Sequence, residues 1–464
     1  MEMSRRGFLG QSIAALSLTQ ALGAAPVRRL AVVSAPEAKT LMAGAATADI
    51  SPPAGLNLWG YSNPDQVAKG VRDPLMARSL VLRVGETALG LVVIDMGRVP
   101  VAGLRERVRA ALAKDGLSDV IFMATHTHSG PYVEEEGLPH LALVEEGIVG
   151  SLREAVARLE PAALAVGRAN IDINFNRRFI KDGECWMKWR NEERIPNEPI
   201  DKEAGVIRVD SVASGKPLAV LINYACHPVI FGPENRHYSA DWPGAMAREV
   251  KAATGAECFF LQGGAGDVNP YLDKTPVSAG GEAAVNGEGK KAADAVLPVL
   301  AGLKPVVSAS PSLAYREEPV EVGLRFDLED ESQTAILKSV YGPIFNKYMA
   351  GMPPDFAVNG GVLMLNRELA LSFVPGELFV QLQLDLKHGS PLKNTFMCGY
   401  ANDFHVYFPT IKDAVYGGYG GKTVTYVGVG AGEKLVNHAH GLIGSMMGRL
   451  GPLTGPEDFA LLEM

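Results

Sequence analysis

Cysteine is sparse in this 464-residue sequence: four are present, Cys185, Cys226, Cys258 and Cys398, far apart and with no C-x-x-C pair. That spacing excludes the common structural zinc sites built from paired cysteines. It leaves two possibilities open, a disulfide in an oxidising compartment or buried free thiols. No block of Lys and Arg occurs, and 44 basic residues face 52 acidic ones for a net charge of −8. A phosphate-backbone partner needs concentrated positive charge, so nucleic acid is not expected. Internal repeats and low-complexity blocks are also lacking, which argues against a solenoid or a disordered chain. No apolar run reaches the ~20 residues required to cross a bilayer.

What the sequence does have is apolar material for a large core, 47% hydrophobic against 21% charged residues. The first 25 residues differ from the rest. Ser4-Arg5-Arg6-Gly7-Phe8-Leu9 is a twin-arginine pattern, followed by a short apolar, small-residue stretch over 13–25. This order of features predicts a Tat export signal cleaved near 21–25, hence a periplasmic or secreted protein without a membrane anchor. A Pro/Ala linker over 26–40 is expected next, then one domain over 41–464.

Within that domain, strand-like segments alternate with amphipathic helical ones, which predicts an α/β fold with a mixed β-sheet flanked by helices. A hairpin is expected from 80–84 and 89–95 across Gly85-Glu86-Thr87. Further strands are expected at 120–123, 204–209, 218–223, 258–261 and 369–374. Helices are expected at 145–159, 242–253 with Asp241 as N-cap, 289–300, 377–387 and 433–449. The polar residues stand out by position. His126, His227 and the run Gly263-Gly264-Ala265-Gly266-Asp267 each follow an apolar strand directly, and strand ends are where α/β sheets form ligand crevices. One site at one edge of the sheet is the expectation.

His126-Thr-His128 places two imidazoles two residues apart, which extended backbone would point to one side. One can take a metal while the other faces substrate, although ordinary loop histidines fit the same spacing. Asn223-Tyr-Ala-Cys-His227-Pro ends a second strand with a histidine. Pro375-Gly-Glu377 offers a carboxylate at the end of a third, or a charge that complements the helix expected to begin there. A catalytic zinc site takes three such donors and keeps one position open. His438 and His440 do not share a helix face at their spacing and read as surface residues. Trp59, Tyr61, Trp186 and Trp189 fit either a substrate mouth or, for at least two of them, core packing.

Taken in order, these motifs resemble the neutral/alkaline non-lysosomal ceramidases. The similarity runs from Gly44-Ala-Ala-Thr-Ala-Asp-Ile-Ser-Pro-Pro and Val71-Arg-Asp-Pro-Leu, through the histidine motifs and Gly266-Asp-Val-Asn269-Pro, to Pro375-Gly-Glu377, Tyr407 and Tyr419-Gly-Gly. The resemblance implies zinc held by His126, His227, Glu377 and Tyr407, with one position left for water. It implies His128 beside that water and Tyr419 as donor to the developing oxyanion. An arginine lining the site corresponds to Arg177, with Arg178 as the alternative.

Two departures refine the expectation. Where the family's loop carries a catalytic serine, this chain has Asn269, and an amide cannot serve as that nucleophile. This favours attack by metal-activated water, with Asp267 and Asn269 scaffolding their loop through side-chain bonds. The family usually continues into a C-terminal immunoglobulin-like β domain, whereas this sequence stops soon after the helix expected at 433–449, so the catalytic domain is expected to stand alone. The function expected is hydrolysis of the N-acyl bond of a ceramide-like lipid by zinc-activated water. The alternatives are a zinc esterase or amidase acting on a more soluble substrate, and a metal-containing binding protein without catalysis.

Overall fold

The computed structural model describes residues 39–451 apart from 62–65, 101–102, 136, 342–348 and 350. The expected export signal and all of the expected linker but its last two residues lie outside the described residues. An eight-stranded mixed sheet is built from β1 (Leu41–Asp49), β2 (Met76–Val84), β3 (Thr87–Ile94), β4 (Asp119–Ala124), β5 (Glu160–Asn170), β6 (Glu203–Ser211), β7 (Pro217–Tyr224) and β8 (Glu257–Gln262), in the order β8-β7-β6-β5-β1-β2-β3-β4. A second sheet of four runs β9-β10-β11-β12, from Leu313–Glu321, Ala357–Leu365, Leu369–Phe373 and Asn394–Cys398.

Side-chain alternation explains why the two sheets pack face to face. Leu89, Leu91 and Val93 of β3, Ala219 and Leu221 of β7, and Leu369, Leu371 and Phe373 of β11 all enter one shared core between the sheets. The residues in between point the other way. Val92 and Ile94 meet Val108 of α1 (Leu104–Ala111) and Ile148 and Leu152 of α2 (Pro139–Ala157). Val220 and Ile222 meet Met246 and Val250 of α3 (Asp241–Thr254) and Ala292 and Val296 of α4 (Gly281–Gly302). On the second sheet, Ala370 meets Leu382 of α5 (Val380–Gly389) and Leu435 of α6 (Ala431–Met446). The result is four layers, helix, sheet, sheet, helix, with the central strands of each sheet buried on both faces. That burial is why so many strands read as unbroken apolar runs.

The large sheet is also curled. β1 pairs with β2 along its whole length but with β5 only through Met42↔Pro161 and Ala43↔Glu160. The outer strands β4 and β8 thereby come into contact. The segment after β12 closes the gap between them: Gly399 N–H donates to Gln262 O (2.9 Å), Ala124 N–H to Tyr400 O (3.2 Å) and Asn402 N–H to Phe122 O (2.9 Å). The expected hairpin and the expected strands are present.

Four expectations change. The site is not at one edge of one sheet, because the ends of β4, β7, β8 and β11 meet across both sheets. The helix expected from 377 begins at Val380, since Glu377–Leu378 first pairs in parallel with Tyr407–Phe408. Its first N–H is capped from outside, by Asp267 Oδ1 on Val380 N (2.8 Å), which no local pattern reveals. Asp241 is not a flanking cap but the first residue of α3, at φ 57°, and accepts from Trp242 N–H (2.7 Å) and Phe231 N–H (2.9 Å). The four cysteines are free thiols, three of them buried. His438 and His440 are half-buried rather than on the surface, and His440 Nε2 meets Leu386 O at the end of α5 (3.1 Å).

Asn223 ties the layers together below the site. Its buried Nδ2 donates to Leu261 O of β8 (3.1 Å) and to Met397 O of β12 (2.6 Å), one in each sheet. Asn223→Ala leaves both carbonyls without that donor and is expected to cost about 1–3 kcal/mol of stability, read as a lower urea midpoint with an unchanged m-value.

Candidate metal centre

Four loops bring ligand-type atoms to one point. His126 follows β4 in the left-handed region at φ 70°, not in the extended backbone that the H-x-H spacing suggested. Such a conformation is uncommon outside glycine and tends to mark functional sites. Its Nδ1 lies 2.6 Å from Gly97 O, and a side chain on Gly97 would collide with the Trp59 ring at 1.9 Å. His227 follows β7, and its Nδ1 lies 3.0 Å from Val268 O. With each Nδ1–H donated to a carbonyl, each Nε2 presents a lone pair to the interior. This is the tautomer that metal-ligating histidines require.

Both Nε2 atoms face Glu377. Its Oε2 lies 3.1 Å from His227 Nε2, 3.5 Å from His126 Nε2 and 3.3 Å from the Tyr400 hydroxyl, which donates to it. Burial opposes the charge on Glu377, but His126 and His227 outweigh it and hold the carboxyl well below the usual range. Burial pushes His227 down to about 4, so the pair is a neutral imidazole beside a carboxylate. His128 joins them, with Nε2 3.3 Å from His126 Nε2. The nitrogens of His126, His128 and His227 lie within 4.8 Å of one another. Burial first, and His126 and His227 next, hold His128 well below its ordinary pKa. Imidazole nitrogens converging on one carboxylate make a donor set that fits a divalent cation. Without a cation, the buried carboxylate would be poorly compensated.

Tyr407 is carried beside Glu377 by their ribbon, and its hydroxyl accepts from Arg177 Nη2 (3.2 Å). Arg177 also donates to Gly266 O (2.6 Å) and to Asn269 Oδ1 (3.2 Å), and its guanidinium stands over the Tyr419 ring at 5.2 Å. Asn269 in turn donates to Asp273 Oδ2 (2.7 Å). Asp267 divides its oxygens between Val380 N–H and Asn176 Nδ2 (2.7 Å). Both loop residues therefore act as scaffold. Arg178 points away into a fully buried ion pair with Asp413 (3.1 Å) and donates to Tyr419 O (3.4 Å), so of the two arginines it is Arg177 that faces the cluster. Burial raises the Tyr407 and Tyr419 phenols against the pull of Arg177, so Tyr419 keeps its proton as a hydrogen-bond donor. Gly417, Gly418 and Gly420 all take left-handed φ near 74–78°, so the turn carrying Tyr419 requires them.

A cavity of about 280 Å³ opens over these groups, with Glu377, His128, Tyr407 and Tyr419 in its wall beside Trp59 and Tyr61. Trp189 is partly exposed and packs on Tyr419 at 5.3 Å, whereas Trp186 is 61% exposed on the outside. Of the four aromatics singled out from sequence, only Trp59 is buried. Tyr400, which meets Glu377, carries no motif in its Tyr-Ala-Asn setting, and neither do Arg98 and Glu134, which line the cavity.

The family model for the N-terminal part of neutral/alkaline non-lysosomal ceramidases matches residues 41–276, just over half of the chain. That span contains His126, His128, Arg177, His227 and Asn269, while Glu377, Tyr407 and Tyr419 lie beyond it. The chain is 26% identical over 268 residues to the neutral ceramidase of Pseudomonas aeruginosa, covering 51% of this chain and 38% of that protein. It is 26% identical over 230 residues to the neutral ceramidase of Oryza sativa subsp. japonica, covering 46% and 29%. The matched part thus spans well under half the length of these relatives. The crystal structure of neutral ceramidase from Pseudomonas aeruginosa superposes with a TM-score of 0.70 at 19% identity, over 90% of this chain and 76% of that one. A ceramidase complexed with C2 gives the same score at 18% identity. At these identities the likeness establishes the fold.

The donor set predicts one tightly held divalent ion per chain. Glu377→Gln keeps the shape and removes the charge, so it is expected to weaken metal binding by at least about 100-fold while the folded circular dichroism spectrum persists. Competition against a chromophoric chelator measures this, and undiminished affinity would remove Glu377 from the metal site.

Proposed function

Because the chain belongs to the neutral/alkaline non-lysosomal ceramidase family, we propose that it is an exported, zinc-dependent hydrolase that cleaves the N-acyl bond of a ceramide-like lipid. The observation that carries this reading is the convergence of His126, His227 and Glu377 on one point in the wall of a cavity that also presents Tyr419 and His128. The relatives named neutral ceramidase support the substrate class. The twin-arginine pattern at Arg5-Arg6 supports export, and among the described residues no helix is long and apolar enough to cross a membrane.

In this reading His126, His227, Glu377 and Tyr407 hold the ion. When bound, zinc supplies a nucleophile from water at neutral pH and polarises the scissile carbonyl. The protein's own groups do the rest. His128, neutral and with Nε2 turned toward the same point, holds the proton of the attacking water. Tyr419 keeps its proton and donates to the oxygen on which charge develops. Arg177 fixes both phenols, one by hydrogen bond and one by stacking, so the donor is aimed before substrate arrives. Asn269 holds Arg177 and takes no covalent part.

The direct test is release of fatty acid from a short-chain ceramide by the purified protein, zinc-loaded and then chelated. Release that chelation abolishes is expected, and a zinc-replete protein that releases nothing would sink the ceramide assignment. Tyr419→Phe is expected to lower kcat about 10²-fold with metal content unchanged. His128→Ala separates catalysis from mere binding: an enzyme loses most of its turnover with zinc retained, whereas a binding protein keeps its ligand affinity.

A further inference from the structure

The loop that carries Asn269 holds two further charged residues that the proposed chemistry leaves unused, Asp273 and Lys274. Asp273 is 1% exposed and Asn269 is fully buried. One carboxylate oxygen does the bonding: Asp273 Oδ2 accepts from Asn269 Nδ2 (2.7 Å) and from Lys274 Nζ (2.6 Å), while Oδ1 is buried without a partner. Lys274 also stands on Trp189, its ammonium 4.7 Å from the ring centre. On the other side of Asn269, Oδ1 accepts from Arg177 Nη1 (3.2 Å).

We infer that Asp273 is a positioning residue: it reserves the Asn269 carbonyl oxygen for Arg177 and so aims the guanidinium that orders Tyr407 and Tyr419. This rests on the hydrolase reading of the adjoining centre. An amide has one accepting end and one donating end, whereas a guanidinium and an ammonium only donate. Asn269 stands between two such cations, and its one oxygen can serve only one of them well. Asp273 Oδ2 takes both the ammonium and the amide N–H, which settles the way the amide faces. Burial pushes the Asp273 carboxyl up and Lys274 opposes the shift. Oδ2 accepts in either state, since a proton would go to the unpartnered Oδ1.

Without this carboxylate, the acceptor left to Lys274 within the group is the amide oxygen. Turning Asn269 over to satisfy it presents Nδ2 to Arg177, donor against donor in a dry interior. Arg177 then loses the bond at Nη1 that fixes the tilt of its plane, and with it the aim of Nη2 at the Tyr407 hydroxyl. Among the described residues, Asp273 bonds to none of the histidines or phenols of the centre. Its effect on them passes through Asn269 and Arg177.

The test measures hydrolysis of a short-chain ceramide by Asp273→Ala, Asp273→Asn, and Asp273→Ala combined with Lys274→Met. Asp273→Ala is expected to lower kcat at least about tenfold, with KM and metal content unchanged. Asp273→Asn keeps an oxygen for both donors and is expected to retain most of the wild-type rate, so a loss of about tenfold there would overturn the assignment. The double variant removes the competing ammonium and is expected to turn over faster than Asp273→Ala alone. A purely structural pair gives the opposite order, because a second buried truncation adds to the damage, and that order would also overturn it. Spectra of 15N-labelled arginine side chains report on the same coupling without turnover. Slowed rotation of the Arg177 guanidinium is expected in the wild type and in the double variant, and its loss in Asp273→Ala. That pattern in a protein that hydrolyses no amide retains the positioning role and overturns the hydrolase reading instead.

Discussion

The structure is organised around a carboxylate in the dry interior. Glu377 is 3% exposed, and His126, His227 and Tyr400 surround one of its oxygens. Each of those partners is itself held by backbone. Gly97 O and Val268 O fix the histidine tautomers, and Tyr400 belongs to the strip that joins β4 to β8. The curl of the large sheet, the docking of the second sheet and the left-handed turn at His126 all serve to bring three chain segments within reach of that one oxygen.

The strand ends were legible because alternating and continuous apolar runs stop abruptly at polar residues. His126, His227 and the Gly263–Asp267 loop all stood at such stops. Glu377 could be found as a carboxylate after a strand, but its real setting could not. The helix behind it takes its cap from Asp267, more than a hundred residues earlier, and local pattern reading searches only nearby residues. The division into two sheets was equally hidden, since β11 and β7 are apolar on both faces and nothing in their sequences says which sheet each joins. Tyr400, Arg98 and Glu134 lie in loops whose residue types carry no periodicity, and only the fold reveals that Tyr400 meets Glu377 and that Arg98 and Glu134 line the cavity.

The chain of contacts from Asp273 through Asn269 to Arg177 shows how a departure from a family pattern can be absorbed. An amide at 269 both donates and accepts, so it joins the carboxylate on one side to the guanidinium on the other. A hydroxyl at that position has a shorter reach. The loop is thereby locked to Arg177, and Arg177 to Tyr407 and Tyr419, giving the aromatic side of the cavity a rigidity that follows from hydrogen bonding rather than from packing alone.

The strip from Gly399 to Asn402 has a consequence for how the molecule comes to exist. Without it, β4 and β8 are two edges with unpaired groups, and His126 has no neighbour in Tyr400. Two of the converging residues are made in the first half of the chain, yet the element that closes the seam is made after residue 398. A nascent chain therefore carries the two histidine loops for a long interval joined by little more than Gln262, whose Nε2 donates to both Thr125 O and Cys226 O. Assembly of the centre is a late event of high sequence separation, and folding of both sheets is complete only when a short piece of backbone from the far end of the chain slots between them.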